Sequence, residues 1–205
     1  MVKVKICGIT NVKDALMAAG LGAWALGFVF YKKSPRCISP SKARKIIEAL
    51  PPFVTPVGVF VNHNERAVAD ICRYTRIRVL QFHGDETPLY CKRFKDYKII
   101  KAFRLGEEFD FAKLSEFKVD AFLFDAFQED QYGGTGRTFN WELLKGRSFS
   151  RPYILAGGLN TENIAQALAS VDHLYAVDVS SGVEISPGQK DYQGIKLFLN
   201  FISKI

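Results

Sequence analysis

No apolar run in this sequence approaches the roughly 20 residues that a membrane-spanning helix needs. Cysteine is scarce, with Cys7, Cys37, Cys72 and Cys91 scattered and never in a CxxC pair. That spacing excludes zinc ribbons and thioredoxin-like redox motifs, and a disulfide framework is not expected in a chain of this size. No GxGxxG follows the first strand-like run, which argues against a dinucleotide fold. The opening segment has neither the layout of a signal peptide nor that of a transit peptide. The expectation is therefore a cytoplasmic protein with no membrane partner. Acidic residues are outnumbered, 21 against 28 basic, for a formal charge of +7. Such a charge suits either a nucleic acid or a small anionic substrate. The basic residues are spread along the chain rather than clustered. This disfavours nucleic acid and leaves most of them as ordinary solvated surface.

What is present is a regular alternation. Short runs rich in Val, Ile and Phe lie at 2–6, 24–30, 54–60, 77–82, 98–103, 121–124, 152–155 and 174–177. Their spacing is that of βα units. Helix-like stretches fall between them at 11–19, 41–50, 64–74, 86–94, 109–117 and 160–170, with a last one at 192–202. Between the sixth and seventh runs only Trp141–Leu144 reads as helix. Strands alternating with helices imply a parallel sheet, open or closed. Eight of them favour the closed form, a single-domain (β/α)8 TIM barrel over residues 1–205, small for its class and so short in its loops.

A barrel places its functional residues where strands end and loops begin. On the first strand Val2, Val4 and Ile6 share one face and Lys3, Lys5 and Cys7 the other. This puts Cys7 at the barrel mouth above Lys5. A lone strand cysteine is usually an inert hydrophobe; the alternative is a reactive thiol whose ionisation Lys5 promotes near neutral pH. Arg36 follows a proline in the second loop, and its planar fork suits a carboxylate or phosphate, though loop arginines are mostly solvated. His83, after the fourth strand, fits a ligand contact or a helix cap equally well. Asp125 ends the sixth strand and opens a long loop containing Gly133, Gly134 and Gly136, the composition of a mobile lid. That loop resembles a phosphate loop but lacks the Walker lysine. The seventh and eighth strands run into Gly157-Gly158 and into Asp178, Ser180 and Ser181. Glycines and serines in those two loops form the usual phosphate site of this fold.

Taken together, the segments KICGIT at 5–10, GFVF at 27–30, SPR at 34–36, GVFVN at 58–62, QFHG at 81–84, YGGTG at 132–136, GGLN at 157–160 and VDVSSGVE at 177–184, with Asp125, resemble the phosphoribosylanthranilate isomerase family of tryptophan biosynthesis. The resemblance runs in order from residue 3 to about residue 190. Phe82 stands where the family usually has Leu, and Cys37 where an aromatic is common. The resemblance implies an Amadori rearrangement, an aldose-to-ketose shift of a phosphorylated small molecule. It assigns Cys7 as general base and Asp125 as general acid, Arg36 as anchor for the anthranilate carboxylate, and the last two loops as anchor for the phosphate. His83, Gly133, Gly134 and Asp178 join the substrate-binding set, Asp178 as a structural or orienting residue that either orients donors of the phosphate turn or pairs with a lysine. No metal and no organic cofactor is implied, and the protein is expected as a monomer or homodimer.

Three rivals remain. An indoleglycerol phosphate synthase-like barrel would want a catalytic lysine, for which only Lys101 offers itself. A histidine-pathway isomerase would want an aspartate where Cys7 stands. A non-catalytic anion-binding barrel would need neither base nor acid.

Overall fold

The computed structural model describes residues 2–126, 138 and 140–204. Eight parallel strands close into a barrel in chain order: β1 Lys3–Cys7, β2 Ala25–Val29, β3 Thr55–Phe60, β4 Val79–Phe82, β5 Lys98–Leu105, β6 Ala121–Ala126, β7 Tyr153–Leu155 and β8 Ala176–Val179. The seam is made by β1 on β8, with Lys5 opposite Asp178.

The alternation of side chains sorts each strand into two cores. Outward residues, among them Ile6, Phe28, Phe60, Phe82, Phe122 and Val177, pack under the helices. Inward positions hold small or branched residues, including Val57, Ala102, Leu123, Ile154 and Ala176, which fill the narrow interior. Above this apolar layer the inward positions turn polar, at Cys7, Gln81, Asp125 and Asp178.

The crossover helices are α1 Val12–Gly20, α2 Pro40–Glu48, α3 Glu65–Thr75, α4 Pro88–Lys92 and α5 Ile164–Ala169, and α6 Tyr192–Ile202 follows the barrel. Their starts follow local chemistry. Asn11, Ser39, Asn64 and Thr87 each accept a hydrogen bond from a backbone N–H in the first turn, and Pro40 and Pro88 occupy first-turn positions that need no donor.

Three crossovers are shorter than their sequence patterns. The stretch at 86–94 yields only α4, because Glu86 is drawn inward and Thr87 caps instead. The stretch at 109–117 forms a 3-10 turn, Phe111–Glu116. There Phe109 and Phe111 fold over Phe103 and Phe124 at ring spacings of 5.9 and 6.4 Å. The stretch at 160–170 becomes helical only at Ile164, because Asn160 accepts from the N–H groups of Glu162 and Asn163 and holds a turn there. One element has no counterpart in the sequence pattern: a hairpin of β9 Glu184–Ser186 and β10 Gln189–Lys190, set between β8 and α6.

Candidate functional site

The C-terminal ends of the strands surround a cleft of about 720 Å³, including its open mouth. Cys7, Arg36, His83, Asp125, Gly157, Gly158, Asp178, Ser180 and Ser181 all line it. The strand-end logic thus brings nine of the expected residues to one place. Gly133 and Gly134 lie outside the described residues.

Cys7 projects from the last position of β1, facing Gly27 on β2. A Cβ at position 27 would lie 2.6 Å from Cys7 Sγ and 3.0 Å from Lys5 Nζ, so the absent side chain there is what gives the thiol and the lysine room. Beneath Cys7, Lys5 donates to Asp178 Oδ2 at 2.8 Å, both side chains being buried. Burial alone would lower the Lys5 ammonium; Asp178, with help from Cys7, more than offsets it and holds Lys5 above the ordinary lysine value. Asp178 is therefore the counter-ion of Lys5 inside the barrel.

Burial pushes the Cys7 thiol up. Lys5 and Lys190 pull it down and Asp178 pushes it up, with the balance above the ordinary thiol value. Lys5 thus favours the Cys7 thiolate, as the strand pattern leads one to expect, and Asp178 blunts that pull. The lysine acts in the expected direction, but desolvation outweighs it.

Across the cleft Asp125 ends β6. Its Oδ1 accepts from the N–H of Ala126 at 2.8 Å, and its Oδ2 lies 2.9 Å from His83 Nε2. The other ring nitrogen of His83, Nδ1, lies 2.8 Å from Gln81 Nε2. Gln81, His83 and Asp125 therefore form a chain of side chains along the cleft wall. His83 caps no helix, since α4 is capped by Thr87.

The phosphate-loop candidates show two features. Gly157 and Gly158 both take positive φ, 86° and 60°, which side chains with a Cβ rarely adopt. The Ser180 hydroxyl donates to the Cys7 carbonyl at 3.1 Å. In this arrangement it supports β1 rather than standing as a spare donor.

Arg36 is not a solvated loop arginine. It is buried against Glu184, donating from Nη2 at 2.7 Å and from Nε at 3.0 Å. Glu184 also accepts from Lys190 Nζ at 2.7 Å. Lys190 in turn donates to the Cys7 carbonyl at 2.5 Å and the Ser180 carbonyl at 3.3 Å. Sequence reasoning gave Glu184 and Gln81 no role beyond their motifs and passed over Lys190. Lys190 carried no signal, because it reaches the mouth from a hairpin rather than a strand end. Gln81 did carry one, an inward parity on β4.

Lys101 does not enter the cleft. It is buried, donating to Glu86 at 3.2 Å and to the carbonyls of Gly84 and Ala102 at 2.8 and 2.9 Å. Its burial holds it below the ordinary lysine value against the pull of Glu86. It ties the β4 loop to β5, which removes the support for a lysine-based reaction.

Residues 4–201 match the family model described as N-(5'-phosphoribosyl)anthranilate isomerase. A protein of that name from Pelobacter propionicus is 46% identical over 199 residues, covering 97% of this chain and 94% of its own. The crystal structure of phosphoribosyl anthranilate isomerase from Thermotoga maritima superposes with a TM-score of 0.91 at 43% identity, covering all of both chains. A phosphoribosyl anthranilate isomerase structure in complex with reduced 1-(o-carboxyphenylamino)-1-deoxyribulose 5-phosphate is similar at a TM-score of 0.86 and 42% identity, again covering both chains completely.

Proposed function

The chain belongs to the N-(5'-phosphoribosyl)anthranilate isomerase family, and we propose that its cleft carries out the family's rearrangement with Cys7 as general base and Asp125 as general acid. The reaction converts N-(5-phosphoribosyl)anthranilate into 1-(2-carboxyphenylamino)-1-deoxyribulose 5-phosphate, a step of tryptophan biosynthesis. Asp125 gives a proton to the ribose ring oxygen as the C1–O bond opens. The nitrogen lone pair moves in to make a C1=N iminium. Cys7, as thiolate, then removes the C2 proton, and the electron pair left behind neutralises the iminium as an enolamine, which tautomerises to the ketose.

The observation that carries this reading is the placement of Cys7 on β1 and Asp125 on β6 in the walls of one cleft. His83 orients Asp125 through its Nε2. Arg36 takes the carboxylate end. Gly157, Gly158, Ser180 and Ser181 take the phosphate end through backbone N–H groups, with Gly133 and Gly134 as further substrate contacts. Asp178 acts through Lys5. The scheme uses no metal and no organic cofactor. Among the described residues no helix is long and apolar enough to cross a membrane. We read the enzyme as cytoplasmic, a single catalytic domain acting on a small phosphorylated molecule without nucleic-acid or membrane partners. We read it as a monomer or homodimer; one solved structure is of monomers generated from the dimeric Thermotoga maritima enzyme.

The test is to mix purified protein with freshly generated phosphoribosylanthranilate and follow anthranilate fluorescence. Wild type should quench it and Cys7→Ser should not, since a hydroxyl is a far poorer base at neutral pH. Fluorescence that persists with folded wild type would overturn the reading.

A further inference from the structure

The carboxylate anchor is itself anchored, and the way it is held has a bearing on specificity. A guanidinium carries five N–H groups in a fixed plane. Glu184 takes one edge of the Arg36 plane: Nε donates to both carboxylate oxygens at 3.0 Å and Nη2 donates to Oε2 at 2.7 Å. The other edge, Nη1 with the second N–H of Nη2, makes no hydrogen bond among the described residues, on a side chain that lines the cleft. That edge is the one a second carboxylate can grip with two parallel bonds.

Two further observations make this a built arrangement rather than a chance pair. Glu184 and Lys190 have side chains only 3% and 0% exposed, and Glu184 also accepts from the N–H of Gly188 at 3.3 Å. Two cations around one carboxylate leave the cluster with one net positive charge, whereas Arg36 and Glu184 alone would be neutral and offer an incoming anion little. On the other side Gly8, at φ +80°, lies against the arginine stem, where a Cβ would sit 2.6 Å from Arg36 Cδ. The stem and one edge of the fork are thus both constrained.

We infer that Glu184 is the positioning residue for carboxylate recognition: it clamps one edge of Arg36 so that the opposite edge presents to the cleft, and Lys190 keeps the cluster net positive. This rests on Arg36 being the carboxylate anchor. The role would make Glu184 a specificity determinant without touching the substrate. Its signature is a selective loss. Ligands that carry the ring carboxylate suffer and ligands that lack it do not.

The experiment is calorimetry with two stable ligands, the product 1-(2-carboxyphenylamino)-1-deoxyribulose 5-phosphate and its decarboxylated counterpart 1-phenylamino-1-deoxyribulose 5-phosphate. They are titrated into wild type, Arg36→Met, Glu184→Asp and Glu184→Gln. Wild type should prefer the carboxylated ligand by at least about tenfold, the lower end for a charge-assisted pair. Arg36→Met should bring the ratio near one. Glu184→Asp keeps the charge but is too short to hold the clamp, and Glu184→Gln keeps the length but turns one of the two oxygens that Arg36 and Lys190 share into an amide donor, releasing the fork, an effect we expect to outweigh the added positive charge. In both, the preference should fall several-fold while affinity for the decarboxylated ligand holds. Should one variant fail to fold, the other reads the same ratio. A wild-type ratio in the Glu184 variants, with Arg36→Met reduced to one, would overturn the role of Glu184 alone. A preference that survives in Arg36→Met would overturn the reading of Arg36 beneath it, and the inference with it.

Discussion

Lys5 and Asp178 stand opposite one another across the β1–β8 seam and close to 2.8 Å directly below the Cys7 level of the barrel. The pair couples the charge around the thiol to the closure of the sheet. Lys5 draws the Cys7 thiol down and Asp178 pushes it up, while burial, the largest influence, raises it.

Removing the lysine should therefore make ionisation harder still. In Lys5→Met the alkylation rate of Cys7 plotted against pH should lie to the alkaline side of the wild-type curve. The wild-type curve should itself lie above that of a free thiol at about pH 8.5. Because the base must be ionised to act, kcat/KM should rise with pH along the same limb. Removing one partner of a buried pair costs about 3–5 kcal/mol, so Lys5→Met/Asp178→Asn is the companion variant that removes both charges. Coincident curves for wild type and both variants would dissociate Lys5 from the thiol.

Asp125 and Asp178 should separate cleanly. Asp125→Asn keeps a hydrogen-bonding side chain beside His83 but cannot donate a carboxyl proton, so kcat should fall by roughly 10²-fold or more with product affinity kept. Asp178→Asn should lose stability first, because it leaves Lys5 buried without a counter-ion. Steady-state kinetics beside thermal melts decide this. Lost turnover in a folded Asp178→Asn with an active Asp125→Asn would exchange the roles.

Gly157→Ala tests how tightly the acid is seated. The new methyl would lie 2.7 Å from the Ala126 nitrogen and 2.8 Å from Asp125 Oδ1, at a φ of +86°. Backbone strain of about 1–3 kcal/mol should lower the melting temperature. Displacement of Asp125 should lower kcat as well. Gly20→Ala, at the end of α1 with nothing within 4 Å of the added carbon, is the control and should be neutral or slightly stabilising. Equal behaviour of the two variants would mean that the Gly157 backbone yields freely.

Lys101→Met should destabilise the protein, by the same order as other broken buried pairs, about 3–5 kcal/mol, since Glu86 loses its cation. The folded fraction should keep its turnover, because Lys101 lies outside the cleft lining. A folded Lys101→Met with no activity would reopen a lysine-based mechanism.

Much of the site was legible because a barrel converts one-dimensional pattern into place. Strand ends put Cys7, Asp125 and the Gly157-Gly158 turn at the barrel mouth, where the cleft lies, and parity set Lys5 beneath Cys7; the chemical roles came only with the family resemblance. The two departures from the family pattern both lie away from the cleft. Phe82 points outward, packed with Phe60, Tyr90 and Phe94 at ring spacings of 5.1–6.3 Å, and Cys37 is exposed and outside the cleft lining. What stayed hidden depends on partners brought together by tertiary packing. Nothing in the spacing of Arg36, Glu184 and Lys190 announces that one carboxylate serves both cations. The net effect of burial on Cys7 likewise depends on how the neighbouring strands enclose it. The short crossovers were overestimated as helices because turn-forming side chains such as Asn160 satisfy backbone donors locally before a helix can begin.

The clamp around the thiol also dictates when the enzyme comes into being. Lys5 meets Asp178 across 173 residues of chain, Ser180 reaches the Cys7 carbonyl across 173, and Lys190 reaches it across 183. During synthesis the strand bearing Cys7 emerges ahead of the rest of the barrel, yet its counter-ion and its carbonyl partners follow 173 to 183 residues later. At about 5–20 residues per second, the nascent chain carries its Cys7 thiol for many seconds before its surroundings exist. Catalytic competence is thus among the last properties the folding chain acquires, and turnover reports that the barrel has closed.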